Sequence, residues 1–197
     1  MKKILFSVSA LLAFGVMSAQ EESSTPGFHK GDAFITGSVS FNSQKTGEQK
    51  NNGFTIAPSA AYFVSNNIAI GATIRYAHNK YEVDDVADSK STASGITAGL
   101  FGRYYFTPEN RLSFFGHLEA NYTSSKVENL AGTDKANGFG VLLGPGVNYF
   151  ISDHFALETT FGAISYGSRK PDGGTKTDNF AVNLNLSNIY LGAVYKF

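Results

Sequence analysis

The sequence predicts an all-β fold, a closed antiparallel transmembrane β-barrel of eight strands, and three observations support it. Apolar residues alternate with small or polar residues from Ala33 to the C-terminus, which is the period of a strand with one apolar face. Short turns and longer polar loops alternate between these segments. The apolar face carries no charged side chain, whereas a water-exposed face would carry many. The apolar face is therefore predicted to contact lipid.

Each predicted strand is long enough to cross a bilayer when tilted, since roughly 9 to 11 residues suffice. The eight strands are predicted at residues 33–42, 54–64, 68–79, 94–106, 112–123, 139–150, 155–166 and 180–197. The opposite face of these segments is rich in Gly, Ser and Thr, which suits a narrow lumen.

The connections between the strands are of two kinds. Three are short turns, at residues 65–67, 107–111 and 152–154. Four are long and polar, at residues 43–52, 80–93, 124–138 and 167–179, and they hold 18 of the 32 charged residues. Short periplasmic turns and four longer extracellular loops are typical of outer-membrane barrels. With an even number of strands, both termini are expected on the periplasmic side.

The chain begins with features of an export signal. Lys2 and Lys3 precede an apolar stretch at residues 4–16, and Ser18 and Ala19 offer small residues for cleavage. Residues 1–19 are therefore interpreted as a signal peptide. Residues 20–30 show no periodicity and are expected to form a mobile periplasmic lead-in, followed by a barrel domain at 31–197.

Composition excludes several classes of function. The chain has no Cys, so disulfides, thiolate nucleophiles and lipid-modified cysteines are excluded. Its formal net charge is zero, which gives no electrostatic attraction toward nucleic acid. We expect no nucleic-acid partner, no cofactor, no resident metal and no catalytic residues.

A small set of charged side chains is predicted to lie inside the barrel. Arginine or lysine in contact with lipid near the midplane costs roughly 2 to 4 kcal/mol, so charges within strands are expected on the lumenal face. Cations and anions there nearly balance, which predicts a salt-bridge and hydrogen-bond network that fills the lumen. Its predicted members are Arg75, Arg103, His117, Glu119, Glu158 and Lys196.

Aromatic residues gather at the two ends of the predicted strands, as expected for interfacial girdles. Beside the short turns lie Tyr62, Tyr104, Tyr149 and Tyr195. Beside the long loops lie Phe41, Phe54, Tyr76, Tyr122 and Phe139. An alternative is ordinary strand propensity, which enriches aromatics anywhere along a strand.

The final residues 188–197 (NIYLGAVYKF) alternate apolar side chains and end on Tyr195 and Phe197. An aromatic pair also precedes each short turn: Tyr62-Phe63, Tyr104-Tyr105 and Tyr149-Phe150. In the C-terminal ending, the signal peptide and these pairs, the chain resembles the porin-like outer-membrane β-barrel domain family of OmpA, OmpX and OmpW type. The resemblance covers residues 28–197. It implies a Gram-negative outer membrane, contact with lipid and lipopolysaccharide, and Phe197 with Tyr195 as a signal for the barrel-assembly machinery and periplasmic chaperones.

Three interpretations of function remain open. The first is a structural or surface-interaction role through the extracellular loops, with an unknown partner, and we expect a monomer because a closed barrel exposes no strand edge. The second is a narrow porin-like channel, which the resemblance to OmpW-type members implies. The lumen would then be lined by Phe34, Phe63, Phe101 and Phe115.

The third interpretation is a lipid-modifying enzyme, which the His-x-Ser pattern of the deacylase type would indicate. That pattern is absent, because Lys80, Glu119 and Ala156 follow two residues after His78, His117 and His154. His117 with Glu119 could form a metal pair, but two side chains of a lumenal network are the plainer interpretation.

Two local features fit the pattern poorly. Pro58 and Pro145 lie inside predicted strands, where each removes a hydrogen-bond donor, and we expect a bulge or bend at each. In the last strand, the apolar parity changes between Leu186 and Ile189, which predicts a bulge near Ser187 and Asn188.

Overall fold

The computed structural model describes residues 26–83, 89–161, 163–183 and 189–197. Ten strand segments are described: β1 (Ala33–Thr46), β2 (Gln49–Phe63), β3 (Ile68–Val83), β4 (Ser91–Tyr105), β5 (Leu112–Asn129), β6 (Gly132–Phe150), β7 (Phe155–Phe161), β8 (Ala163–Pro171), β9 (Thr177–Asn183) and β10 (Ile189–Lys196). No helix in the described part of the chain is long and apolar enough to cross a membrane.

The ten segments form one closed antiparallel barrel of eight strands. Each strand from β1 to β6 pairs with the next one in the chain. β7 and β8 both pair with β6 and take the place of the seventh predicted strand. β10 pairs with β7 and β9 with β8, so these two take the place of the eighth. Pairing of β10 with β1, from Phe34↔Lys196 to Gly37↔Ala193, closes the ring. The predicted fold class is confirmed.

The long polar connections differ from the prediction, because they are mostly paired strand. β1 and β2 are paired up to Thr46↔Gln49, and β5 and β6 up to Asn129↔Gly132. Each of the predicted loops 43–52 and 124–138 is therefore a β-hairpin, in which two paired strand ends are joined by a short turn. The apolar alternation in the sequence ends before the strands do. A strand with water on both faces needs no apolar face, although its backbone hydrogen bonds continue. Gly47, at φ +60°, makes the tight turn between β1 and β2.

The two prolines behave differently from each other. At Pro58 the pairing of β2 with β3 lapses for two residues and resumes in the same register, so no bulge forms there. At Pro145 the register of β6 moves by one residue, between Leu143↔Ile164 and Gly146↔Thr160. Proline has no N–H to donate, which explains an interrupted ladder at both positions. The register change opposite Pro145 puts the extra residue in the seventh strand, between Thr160 and Ile164, and not in the proline's own strand. A bulge in the proline's own strand is therefore found at neither position, and a bend at each stays a prediction. The bulge expected near Ser187 and Asn188 lies outside the described residues.

The outward face of the barrel is apolar and the inward face is small or polar. Exposed aliphatic residues such as Ile74, Leu100 and Leu118 alternate with buried or half-buried inward positions along each strand. Eight of the nine predicted girdle aromatics are exposed on the outward face. The ninth, Tyr195, packs at 5.0 Å from the rings of both Phe155 and Phe197.

Candidate functional site

The lumen holds a buried ion pair between Arg103 on β4 and Glu158 on β7. Arg103 donates from Nη1 to Glu158 Oε2 at 2.6 Å and from Nη2 to Oε1 at 3.0 Å. Both residues are less than 9% exposed. A guanidinium that meets a carboxylate with two parallel hydrogen bonds has the strong, directional geometry of a charge-assisted pair. The pair therefore joins two strands across the lumen.

Neutral side chains complete the surroundings of Glu158. Thr36 donates from Oγ1 to Oε1 at 3.3 Å. The amide of Asn148 has two orientations: in one its nitrogen lies 3.4 Å from the Tyr105 hydroxyl, and in the other it donates to Glu158 Oε2 at 3.1 Å. The second is the better assignment, because a carboxylate accepts and an amide oxygen does not donate. The Tyr105 hydroxyl also lies 3.3 Å from Arg103 Nη1.

Three phenyl rings surround the guanidinium of Arg103. Its Cζ atom lies 4.6 Å from the ring centroid of Phe115, 5.0 Å from Phe101 and 5.7 Å from Phe34. A cation this close to ring faces is attracted by their negative electrostatic potential. The rings also exclude water, which strengthens the electrostatic attraction between Arg103 and Glu158.

A second polar group continues from Arg103 toward the long hairpins. Arg103 Nε donates to His117 Nδ1 at 3.2 Å, which places the proton of a neutral imidazole on Nε2. His117 Nε2 lies 3.5 Å from Glu119 Oε2. Glu119 Oε1 accepts from Asn121 Nδ2 at 2.8 Å and lies 3.9 Å from Arg75 Nη2. One polar chain therefore runs from Glu158 to Arg75.

An aromatic layer closes the lumen at the short-turn end, below the ion pair. Phe28, which precedes β1, is fully buried at its centre. The centroid of its ring lies 4.7 Å from Phe63, 4.9 Å from Phe150, 5.0 Å from Phe34 and 5.2 Å from Tyr105. Phe28 comes from the segment ahead of the barrel. It contacts four strands and fills the lumen at this end.

Polar contacts hold the segment that carries Phe28. The backbone N–H of Phe28 donates to Pro108 O at 2.8 Å, and Lys196 Nζ donates to Gly27 O at 2.8 Å. Gly27 has φ +115°, and a Cβ atom there would lie 2.6 Å from backbone atoms of Glu109. Lys196 Nζ also lies 3.9 Å from Asp32 Oδ2. Residues 26–30, placed by the sequence in a mobile lead-in, thus make specific contacts with the barrel.

Among the described residues, the opposite end of the lumen holds a cavity that opens to the outside. A cavity of about 500 Å³ lies at the long-hairpin end. Its polar lining includes Asn121, Thr123, Arg169, Thr177 and Asn179. The Arg75 side chain is 40% exposed, whereas that of Arg103 is 5% exposed. The described lumen therefore holds a polar vestibule at the hairpin end, the ion pair in the middle and the aromatic layer at the short-turn end.

The chemistry of this site is that of a filled interior. Within the described ranges, no group of three or more His, Asp or Glu side chains could hold a metal ion. His117 and Glu119, the metal pair considered from the sequence, contact Arg103, Asn121 and Arg75 instead. Arg103 and Asn121 donate to lone pairs of His117 and Glu119 that a metal would need.

Five of the six predicted lumenal charges lie in one connected chain of contacts. Lys196 lies apart from them, with Gly27 and Asp32 at the short-turn end. The sequence did not single out Phe28, Thr36, Asn148 or Asp32. Thr36 lies on the predicted lumenal face, so the alternation could have identified it. Phe28 lies before the first strand, where no alternation indicates which way a side chain faces.

Comparison with known proteins agrees with this architecture. Residues 6–197 match the family model described as "Outer membrane protein beta-barrel domain". No curated protein matches the sequence significantly.

Solved structures share the fold at low sequence identity. The outer membrane protein OprG from Pseudomonas aeruginosa is 17% identical, with a TM-score of 0.56, over 88% of this chain and 99% of that one. A major outer membrane protein from Thermus thermophilus is 14% identical, with a TM-score of 0.52, over 86% of this chain and 100% of that one. Neisserial surface protein A is 16% identical, with a TM-score of 0.50, over 85% of this chain and 100% of that one. This chain belongs to the outer membrane protein β-barrel domain family and is an integral outer-membrane protein.

Proposed function

We propose that this protein is a non-enzymatic outer-membrane barrel with a closed lumen, which presents its four long hairpins for a structural or surface-interaction role. The observation that supports this best is the double closure of the lumen. The Arg103–Glu158 pair fills the middle of the lumen, and the aromatic layer around Phe28 fills its short-turn end. An eight-stranded interior is just wide enough for side chains to fill it.

We further propose that the short turns and both termini face the periplasm. Phe34 and Lys196 are paired near the short-turn end, so the two ends of the barrel lie together. Short periplasmic turns are the usual arrangement of these barrels. The two rings of outward aromatics would then lie at the two interfaces of the membrane, where amphipathic rings are favoured. The hairpins would reach the outer surface, where the partner is to be sought.

The test of the closed lumen is single-channel conductance of the refolded protein in planar bilayers. We expect no steady conductance from the wild type. The variant F28A/R103A/E158A removes both closures and is expected to conduct. The variant F106A, altered at an outward residue that is 65% exposed, is the matched control and is expected to stay silent. Steady conductance of the wild type would contradict the closed lumen.

A narrow channel for small solutes is the second candidate, and the open vestibule favours it. The cavity of about 500 Å³ and the partly exposed Arg75 give a solute a polar entrance. Passage would need Phe28 to leave its place. Wild-type conductance that Arg75→Ala alters and F106A does not would favour this candidate over the first.

A further inference from the structure

An arginine without a protein partner lies in the vestibule at the hairpin end of the lumen. Arg169 of β8 lies directly opposite Gly138 of β6, which lies opposite Thr123 of β5. Thr123 has the parity of Glu119, and opposed residues share a face, so Arg169 faces the lumen. On β6, the carboxylate of the same face is Asp134, four residues or about 13 Å farther toward the hairpin tip. Among the described residues, none forms a hydrogen bond or an ion pair with the Arg169 side chain.

The other arginines of the lumen have counter-charges close to them. Glu158 is paired with Arg103, and Glu119 lies 3.9 Å from Arg75. Arg75 and Arg169 lie four strands apart in the ring of eight, so they project from opposite walls of the lumen. The excess of positive charge in the vestibule is therefore at Arg169. Its guanidinium has five N–H donors to offer to an anion.

Glycines leave room in front of Arg169. Gly138, Gly140 and Gly167 line the cavity of about 500 Å³. Gly140 lies directly opposite Gly167, and a Cβ atom at Gly167 would meet nothing within 4 Å. Sites for small molecules have volumes of roughly 300 to 1,000 Å³. The cavity therefore has room for a molecule the size of a monosaccharide or a disaccharide, seated against bare backbone.

The walls of the cavity supply uncharged donors and acceptors. Amide and hydroxyl side chains line it from β5 and β9, at Asn121, Thr123, Ser125, Thr177 and Asn179. Within the described lining there is no Asp or Glu. Asn121 donates from Nδ2 to Glu119 Oε1, and its Oδ1 would lie 3.1 Å from a Cβ atom at Gly140, so this acceptor is on the cavity side. Such groups suit the hydroxyls of a ligand, which both donate and accept.

We propose that the vestibule binds a small sugar acid, whose carboxylate pairs with Arg169 and whose hydroxyl groups bond to the amides and hydroxyls of β5 and β9. A guanidinium can meet a carboxylate with two parallel hydrogen bonds. A neutral sugar lacks the negative charge for Arg169, and a simple carboxylate such as acetate lacks the hydroxyl groups for the walls.

This site does not depend on whether the lumen conducts. It lies on the hairpin side of the Arg103–Glu158 pair, where the cavity opens to the outside. A sugar acid can therefore enter and leave the vestibule of a barrel that is closed below. Steady conductance of the wild type would contradict the closed lumen alone, whereas the binding experiment tests the vestibule alone.

The experiment uses the full mature chain, labelled with ¹⁵N and refolded in detergent micelles. NMR follows the backbone amide signals of Gly138, Gly140 and Gly167 while galacturonate, galactose or acetate is added at constant ionic strength. We expect galacturonate to shift these signals in a saturable way, with a Kd about tenfold lower than that of galactose or acetate, because a hydrogen bond to a charged group is stronger than one between neutral groups.

Two variants test the two parts of the site. R169Q should raise the Kd of galacturonate about tenfold and leave that of galactose unchanged. G167V places a side chain in the cavity without changing the charge, and should abolish the shifts of Gly138 and Gly140 in a barrel that heat-dependent gel mobility shows to be folded. The matched control is K170Q, which removes one positive charge from the exposed neighbour of Arg169 and should bind galacturonate as the wild type does.

Three results would overturn the proposal. Equal shifts with galacturonate and acetate would mean that any anion suffices. An equal rise in Kd in R169Q and K170Q would be an effect of net charge. Shifts with polygalacturonate and none with the monomer would assign the vestibule to a surface polymer instead of a small solute.

Discussion

Arg103 and Glu158 lie three strands apart around the barrel and are joined by two hydrogen bonds of 2.6 and 3.0 Å across the lumen. Glu158→Gln would leave a buried guanidinium without its counter-charge. We expect this to lower the free energy of unfolding by roughly 3 to 5 kcal/mol, as for other buried pairs that lose one partner. Urea unfolding of the refolded protein in lipid vesicles measures the change.

The double variant R103M/E158M is the companion to this experiment. It removes both charges and fills the space with apolar side chains among the rings of Phe34, Phe101 and Phe115. We expect it to be more stable than Glu158→Gln, because no uncompensated charge remains. An equal loss in both variants would show that the destabilisation comes from lost packing and not from an unpaired charge.

Phe28 packs against four aromatic side chains although it lies outside the barrel strands. Phe28→Ala should lower the free energy of unfolding by about 3 kcal/mol, the low end for loss of a buried phenyl group. The control His29→Ala alters the exposed neighbour and should change little. If Phe28→Ala unfolds in urea as the wild type does, the segment is not bound to the barrel in solution.

The barrel could be predicted from the sequence because membrane strands follow a simple rule. An outward residue such as Leu118 must be apolar, and the next one, Glu119, must face the lumen, so the alternation alone places both. The same reasoning placed Arg103 and Glu158 inside. It could not pair them, since strands β4 and β7 are far apart in sequence and pairing depends on the side-chain geometry across the lumen.

The rule fails where no membrane acts on the chain. Lys126 and Lys135 lie in paired strand, yet their polar surroundings were interpreted as loop, because strand beyond the bilayer needs no apolar face. Phe28 lies in a segment without periodicity, and only the cluster of rings around it shows its place.

Phe197 ends the chain at the rung where the barrel closes. Its backbone N–H donates to Ala33 O at 3.0 Å, and its ring packs at 5.0 Å from Tyr195. If the terminal aromatic is a signal for assembly, Phe197→Ala should lower the fraction of folded barrel in cells while spontaneous refolding in vesicles stays near normal. Heat-dependent gel mobility measures both. Equal losses in both settings would assign Phe197 a structural role instead.

Glu128, on the outer part of β5, is paired with Lys126 in the hairpin. A hydrogen bond and the positive charge of Lys126 hold the pKa of Glu128 below its usual value of 4.5. Above pH 4.5 the Glu128 carboxylate is therefore ionised and paired with Lys126, and the contribution of the pair to stability is lost as the pH falls through the lowered pKa. In Lys126→Gln, the titration midpoint of the Glu128 carboxyl should rise toward 4.5 when followed by NMR. An unchanged midpoint would show that the pair does not form in solution.

Gly146 lies on the lumenal face of β6, against the ring of Phe115. A Cβ atom at Gly146 would lie 2.2 Å from Phe115 Cζ, so the ring, whose centroid lies 4.6 Å from Arg103 Cζ, would have to move. Gly146→Ala should therefore lower the free energy of unfolding by about 1 to 3 kcal/mol through overpacking. Gly116 on the neighbouring strand is the control, since a Cβ atom there meets nothing within 4 Å. If urea unfolding gives the same free energy for Gly146→Ala and Gly116→Ala, the lumen beside Phe115 is not tightly packed. That result would contradict the closed interior.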